Sequence, residues 1–261
     1  MIRKAWGYLL VMFVLASIGQ TAAEEKWNEM KSRHFIVYYK NTPRGFAETV
    51  LNNAEQCYDA IVDNLGFNSY KGWTFDDRAK IYVYDNKDDY VTSAQQANWS
   101  AGTAYYLKRT IRTYPSAAGF FDTLLPHELG HIIFHEFIGH RGNIPLWFDE
   151  GVAMYQEKAK RWGANGKVQQ ALKDGTFIPL SRLAGIRLQS DSSRDLIELF
   201  YDESASIIYF LITEYGDFKF LNFCRNLERG DDFLHSLERS YPRFKTLDEL
   251  NAAWVSYLEK N

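Results

Sequence analysis

Two histidines four residues apart constrain this chain more than any other feature. The segment from Leu124 to Phe134 reads LLPHELGHIIF, so His127 and His131 stand in an apolar run with Glu128 between them. On an α-helix, residues four apart are separated by about 40° around the axis and about 6 Å along it, so both imidazoles can reach one metal ion. The pattern therefore predicts a helical metal site, with two hydrogen-bonded core histidines as the alternative.

A catalytic zinc site commonly uses three protein ligands and a water molecule, so a third ligand is needed. Glu150 follows His131 after eighteen residues, within the sequence WFDEG. That interval holds two further helical turns, a reversal with two glycines and a proline, and a returning helix. We expect the returning helix to bring Glu150 level with the two histidines.

Two other histidines are weaker candidates for the third ligand. His135 lies about 12 Å along the helix axis from His127, which is too far for one ion bound at about 2 Å. His140 falls in the reversal, without the spacing of a metzincin motif, where Phe137 would have to be a ligand. We expect His135 and His140 to be polar surface or loop residues.

The complete pattern, His127-Glu128-x-x-His131 followed by eighteen residues and Glu150, resembles that of the gluzincin metallopeptidases. In particular, it is similar to the aminopeptidase N-like enzymes and the small bacterial MA-like peptidases. The resemblance implies one Zn²⁺ per chain, bound by His127, His131 and Glu150, and Glu128 as general base. Asp149 and Asp122 are both near enough in sequence to orient the imidazoles, and the sequence does not choose between them.

The same resemblance implies an α+β, zincin-like fold with a peptide or protein substrate. We expect a small mixed β-sheet lobe in residues 24–115, a helical lobe in residues 116–261, and the active-site cleft between them. The last extended segment before the metal helix, residues 101–114, would contain the edge strand that pairs with substrate backbone.

A second block carries part of the resemblance. Residues 200–205 read FYDESA and are similar to the Tyr-Glu-Lys-Gly helix start of the aminopeptidase N-like enzymes, whose Tyr stabilises the transition state. Tyr201 is the matching position and is a candidate oxyanion donor, although three neighbouring residues differ from the family pattern. A tyrosine that packs at a helix start is the alternative, since the chain has 17 tyrosines.

One departure from the family affects specificity. The aminopeptidase N-like enzymes carry a Gly-x-Met-Glu-Asn block whose Glu binds the free amine of the substrate, whereas residues 101–104 read AGTA. Endopeptidase action is therefore favoured over aminopeptidase action. A non-catalytic zinc-binding or peptide-binding protein on the same scaffold is the alternative from another class, but it would be expected to lose Glu128 or a ligand.

The N-terminal residues 1–23 are typical of a signal peptide. Arg3 and Lys4 precede a mostly apolar stretch, and Thr21-Ala22-Ala23 offers small residues for cleavage after Ala23. We therefore expect an exported protein, periplasmic or extracellular, that is not membrane-bound after cleavage. An uncleaved membrane anchor is the alternative.

Composition excludes little. The apolar fraction of 46% supports an ordinary globular core, and a net charge of −3 gives no argument for binding nucleic acid. Cys57 and Cys224 are far from any metal-ligand spacing, so a disulfide and two free thiols are both open.

Local patterns predict the remaining elements. Strands are expected at 34–39 and 80–85, and helices at 46–65, 88–97, 218–227 and 231–239. The helix that carries Glu150 is expected to continue to Trp162 and to break at Gly163–Gly166. A capping box at Thr246 is expected to open the last helix.

Overall fold

The fold is that of a computed structural model, which describes residues 27–67, 72–73, 76–93, 102–115, 117, 119–140, 144–189 and 191–261. The expected signal peptide and its cleavage site after Ala23 lie outside the described residues. No helix in these ranges is long and apolar enough to cross a membrane.

A mixed five-stranded sheet forms the N-terminal part of the described chain, in the spatial order β1-β2-β3-β5-β4. Its strands are β1 Asn28–Lys31, β2 Phe35–Tyr39, β3 Ala79–Val83, β4 Gly102–Tyr105 and β5 Thr110–Thr113. The three inner strands run parallel to one another, and β1 and β4 pair antiparallel at the two edges.

Alternation along the strands gives the sheet one apolar face. Phe35, Val37, Ile81 and Ile111 are buried on it. Helix α1, Arg44–Asn64, packs on this face. Its buried residues, which include Val50, Ala54 and Ile61, recur at helical spacing and form one apolar stripe toward the sheet.

Helices dominate the rest of the described chain. Their bounds are α2 Lys87–Ser93, α3 Leu125–Phe137, α4 Leu146–Gln156, α5 Lys158–Asp174, α6 Leu180–Leu183, α7 Arg194–Tyr215, α8 Asp217–Arg229, α9 Phe233–Ser240 and α10 Leu247–Leu258. Thr246 and Glu249 form the expected capping box at α10. The predicted α+β class, with the sheet first and the helices after it, is confirmed; the lobe boundary at residue 115 and the cleft between the lobes stay predictions.

The segment that precedes the metal helix α3 is a π-helical turn. A π-helical turn, Phe120–Leu124, leads directly into α3, and Pro126 occupies its first turn, where a missing backbone N–H costs nothing. Insertions of this kind often occur next to functional sites. Every residue from Leu129 to Phe134 is buried, so α3 lies in the core.

Two expectations about the elements were wrong. The helix that carries Glu150 ends at Gln156 and not near Trp162, because Glu157 adopts an extended conformation; Gly163 and Gly166 lie inside the next helix, α5. A helix interior tolerates glycine when other residues favour the helix and tertiary packing supports it. The second concerns Tyr201, which was expected at a helix start but lies inside α7, since that helix begins at Arg194.

The segment that was expected to contain the edge strand forms β4 and β5, and β4 folds back on β5 as the edge of the described sheet.

The two cysteines are free thiols. Cys57 on α1 is half-buried and Cys224 on α8 is fully buried. Burial raises the pKa of Cys57 to about 11 and that of Cys224 well above its ordinary value. Both groups are therefore neutral thiols at physiological pH, and the disulfide alternative does not apply.

Gly151 on α4 lies directly against the backbone of α7. A Cβ atom there would lie 2.4 Å from the carbonyl oxygen of Ser204 and 2.8 Å from Cγ1 of Ile208. Such distances are far inside van der Waals contact. The residue after Glu150 therefore has to be glycine for α4 to lie in this position.

We expect Gly151→Ala to lower the free energy of unfolding by about 2 kcal/mol or more, because the backbone of α7 would have to move. Gly166→Ala is the matched control, since no atom lies within 4 Å of its added Cβ. It should raise stability by about 0.5–1 kcal/mol through helix propensity. Chemical denaturation measures both, and equal stabilities for the two variants would contradict the close packing.

Candidate metal centre

Three ligand atoms from α3 and α4 face one another. Nε2 of His127 lies 3.2 Å from Nε2 of His131, and Oε2 of Glu150 lies 3.6 Å and 3.7 Å from those two nitrogens. His131 is buried, whereas His127 and Glu150 each keep 18% of the side chain exposed. The returning helix has thus placed Glu150 level with the histidines, as its spacing predicted.

These distances fit a zinc ion. Ligands bound tetrahedrally at about 2.0–2.1 Å from one Zn²⁺ lie about 3.3–3.4 Å from one another. The three observed separations bracket that value, and the donor set of two imidazoles and one carboxylate is a known catalytic zinc set. The three residues therefore fit the metal that the sequence pattern implies.

Each histidine is oriented by a carboxylate on its other ring nitrogen. Nδ1 of His127 donates to Glu157 at 2.9 Å, and Nδ1 of His131 donates to Asp149 at 2.9 Å. An ionised carboxylate only accepts hydrogen bonds, so each Nδ1 carries the proton and each Nε2 keeps its lone pair for a metal.

Of the two acids considered from the sequence, Asp149 has this orienting position. Asp122 lies in the π-helical turn and lines a separate cavity of about 240 Å³ with Cys57 and Arg161. Glu157 was missed. The position of Glu157 depends on where α4 ends, and the sequence pattern predicted that end several residues too late.

His135 is not the isolated surface residue that we expected. Its Nε2 donates to the same oxygen of Asp149 that accepts from His131, at 2.9 Å in each case. Burial opposes ionisation of Asp149, but the two histidine hydrogen bonds outweigh it and hold the pKa of that carboxyl well below its usual range. His140 fulfils the expectation: it is exposed in the turn after α3.

Tyr106 is a second residue that the sequence did not single out. Its ring stacks on His135, with centroids 5.6 Å apart, and lies 5.1 Å from the ring of His131. Tyr106 opens the turn between β4 and β5. Arg109 ends that turn with a φ of 45° and pairs with the buried Glu136 of α3, which fixes the turn on the metal helix.

Negative charge concentrates around the three ligand atoms. Burial would lower the pKa of His131, yet hydrogen bonds to Asp149 and Glu150 raise it to about 10. Burial also raises the pKa of Glu128, against the opposing effect of the two histidines. The centre therefore favours a positive charge, whether a proton or a metal ion.

Tyr201 lies on α7 in the same electrostatic environment. Burial is the largest reason that its pKa rises to about 12, and the charges of Glu150, Glu157 and Glu128 add to it. The same kinds of cause raise the pKa of Tyr106. Both phenols therefore keep their protons at neutral pH and can donate a hydrogen bond.

A sequence profile described as the Peptidase MA superfamily matches residues 59–260, which is 202 of the 261 residues. The chain belongs to the peptidase MA superfamily. Membership confirms the resemblance to the gluzincin metallopeptidases that the sequence motifs indicated. No curated protein sequence matches the chain.

Among solved structures, this superfamily member is similar to yeast LTA4 hydrolase. The complex of that protein with bestatin matches with a TM-score of 0.51 and 15% identity, over 87% of this chain and 39% of that one. The native form matches with a TM-score of 0.49 and 15% identity, over 85% and 37%. The chain thus spans less than two fifths of the length of these proteins, and the likeness supports the fold alone.

We expect Glu157→Ala to weaken zinc affinity by about 10- to 100-fold, because His127 would lose the acceptor that fixes its ring. Asp122→Ala is the matched control and should bind zinc like the unaltered protein. Competition with a metal-sensitive chelator dye measures both affinities. Equal losses in the two variants would show that the bond from Glu157 to His127 does not matter for metal binding.

Proposed function

We propose that this protein hydrolyses peptide bonds with one zinc ion bound by His127, His131 and Glu150. The observation that carries the proposal is the convergence of those three ligand atoms, with each imidazole oriented by its own carboxylate. A zinc ion held there supplies Lewis-acid activation of water and of the scissile carbonyl.

Glu128 is the proposed general base. It lies between the two ligand histidines in sequence, and its side chain is half-buried. It would accept a proton from the attacking water and deliver that proton to the leaving amine. A raised pKa suits both halves of this task, because the group has to gain and lose the proton near neutral pH.

Tyr201 is the proposed donor to the oxyanion that develops on the substrate carbonyl. A phenol with a pKa of about 12 retains its proton and can donate without transferring it. Tyr106 is the other phenol near the centre, so it is the natural rival for this role. Its stacking on His135 favours a positioning role instead.

Endopeptidase action is the favoured form of the activity. Strand β4 is last in the order of the described sheet and leads directly into Tyr106, which suits pairing of an extended substrate along that edge. The absence of an acid in residues 101–104 argues against capture of a free amine. Aminopeptidase action and non-catalytic peptide binding are the alternatives.

The protein is also proposed to be exported, with residues 1–23 as a cleaved signal peptide. N-terminal sequencing of the mature protein would test this directly. A mature chain that begins at Glu24 is the expected result, and an intact Met1 in a membrane fraction would favour the anchor instead.

The activity is tested with the zinc-loaded protein and a mixed peptide library. We expect one zinc per chain and cleavage at internal bonds, whereas Glu128→Gln should bind zinc normally and lose nearly all cleavage, since it cannot accept the proton. Mass spectrometry of the products measures the cut positions. Identical cleavage by Glu128→Gln, or zinc content well below one equivalent, would refute the mechanism, and cuts confined to N-terminal residues would favour aminopeptidase action.

We expect Tyr201→Phe to lower kcat by about 100-fold or more with little change in KM, because the hydroxyl acts on the transition state. Tyr257→Phe, on α10, is the matched control and should keep the original kcat. Steady-state kinetics on one cleaved peptide measures both. A similar loss in Tyr106→Phe combined with no loss in Tyr201→Phe would assign the donor to Tyr106.

A further inference from the structure

The face of the sheet opposite α1 carries a group of basic and aromatic side chains. Register places Lys80 beside Thr110 and Tyr82 beside Arg112 on the inner strands, and Tyr105 of β4 beside Thr110. These side chains share one face because alternate residues of a strand point the same way. Together with Lys108 they line a surface cavity of about 460 Å³, which we call the sheet-face pocket.

The pocket has positive charge without acidic partners. Among the described residues, no carboxylate lies within ion-pair distance of Lys80, Lys108 or Arg112, and no acid lines the cavity. Glu29 shares this face, but it lies three strands away from Arg112, about 14 Å, and pairs with Lys31. Asp77, two residues before β3, pairs with Arg109.

Arg112 lines this pocket and is held in place by an aromatic ring. Its guanidinium packs over the ring of Tyr105, 5.0 Å from the centroid, and its Nε is buried without a hydrogen-bond partner among the described residues. A buried donor that makes no hydrogen bond is costly. The same residue lines the pocket, so its positive charge acts on any anion bound there.

The pocket is close in sequence to the metal centre. Tyr105 lines the pocket, and the next residue, Tyr106, stacks on His135 beside the metal ligands. Consecutive Cα atoms are about 3.8 Å apart, so a polypeptide bound at the centre needs only a few residues to pass the edge of β4 and reach the opposite face. A ligand that occupies both places has to be a flexible chain.

We propose that the sheet-face pocket is an accessory binding site for acidic side chains of the polypeptide substrate. The inference rests on the proposed peptidase function and adds a substrate class to it. The whole chain has a net charge of −3, so a long polyanion would be repelled outside the pocket, whereas a short acidic segment meets only the local cations. Glu and Asp side chains supply carboxylates for the three cations that line the pocket.

The test compares two peptides that share one cleavable segment. One carries three consecutive Glu residues at one end, and the other carries three consecutive Gln residues there. Each pair is made twice, with the three residues at the N-terminal end and at the C-terminal end. The full zinc-loaded protein should cleave the Glu peptide with a KM about 5-fold lower, and the difference should vanish at 1 M salt, because screening removes such attractions. The double variant Lys80→Gln/Lys108→Gln should treat both peptides alike. Lys245→Gln/Lys260→Gln, which removes two distant exposed charges, should keep the preference.

A binding measurement separates this inference from the peptidase function. Fluorescence anisotropy of labelled Glu and Gln peptides with the Glu128→Gln protein does not depend on cleavage. Tighter binding of the Glu peptide that is lost in Lys80→Gln/Lys108→Gln supports the pocket even if no peptide is ever cleaved. Equal binding of the two peptides, a preference that survives the double variant, or stronger competition by heparin oligosaccharide than by oligoglutamate would overturn the proposal.

Discussion

The rest of this structure depends on a group of carboxylates that converge on one side of α3 and α4. Glu128, Asp149, Glu150 and Glu157 all act on the small volume around two imidazoles, and the ion-pair partners of the last three are histidines. Bringing like charges together in a largely buried site is unfavourable unless a cation offsets them. The close contact of α4 with α7 at Gly151, the buried α3 and the sheet edge can all be understood as the framework that keeps these groups together.

The catalytic pattern was predictable because each part of it has a short-range cause. His127 and His131 share a helix face by periodicity alone, and Glu150 needed only a reversal of plausible length. The carboxylates that orient the two histidines were harder to predict from the sequence. Asp149 could be named but not chosen over Asp122, and Glu157 depends on the residue at which α4 ends, which local preference predicted wrongly. Helix ends are decided by packing as much as by propensity, since the glycines at 163 and 166 are tolerated inside α5.

Long-range contacts account for the other omissions. Tyr106 and His135 are unremarkable in sequence, and they matter because the pair of Arg109 and Glu136 brings the turn after β4 onto α3. No spacing rule connects residues from a sheet edge with residues on a helix nearly thirty positions later. The α+β class followed from the order of strand-like and helix-like segments and from family resemblance, whereas the strand order and the pairing of β4 with β5 needed the structure.

The break between α4 and α5 has a consequence for how folding and metal occupancy are coupled. Glu157 is at once the last cap of α4, the first cap of α5 and the acceptor that fixes His127. A metal ion bound by His127 would therefore also stabilise the junction between α4 and α5. Metal binding and local folding at this junction are thermodynamically coupled. The amide hydrogen of Arg161, which is bonded to the carbonyl oxygen of Glu157, would therefore exchange with solvent more slowly when the metal is bound.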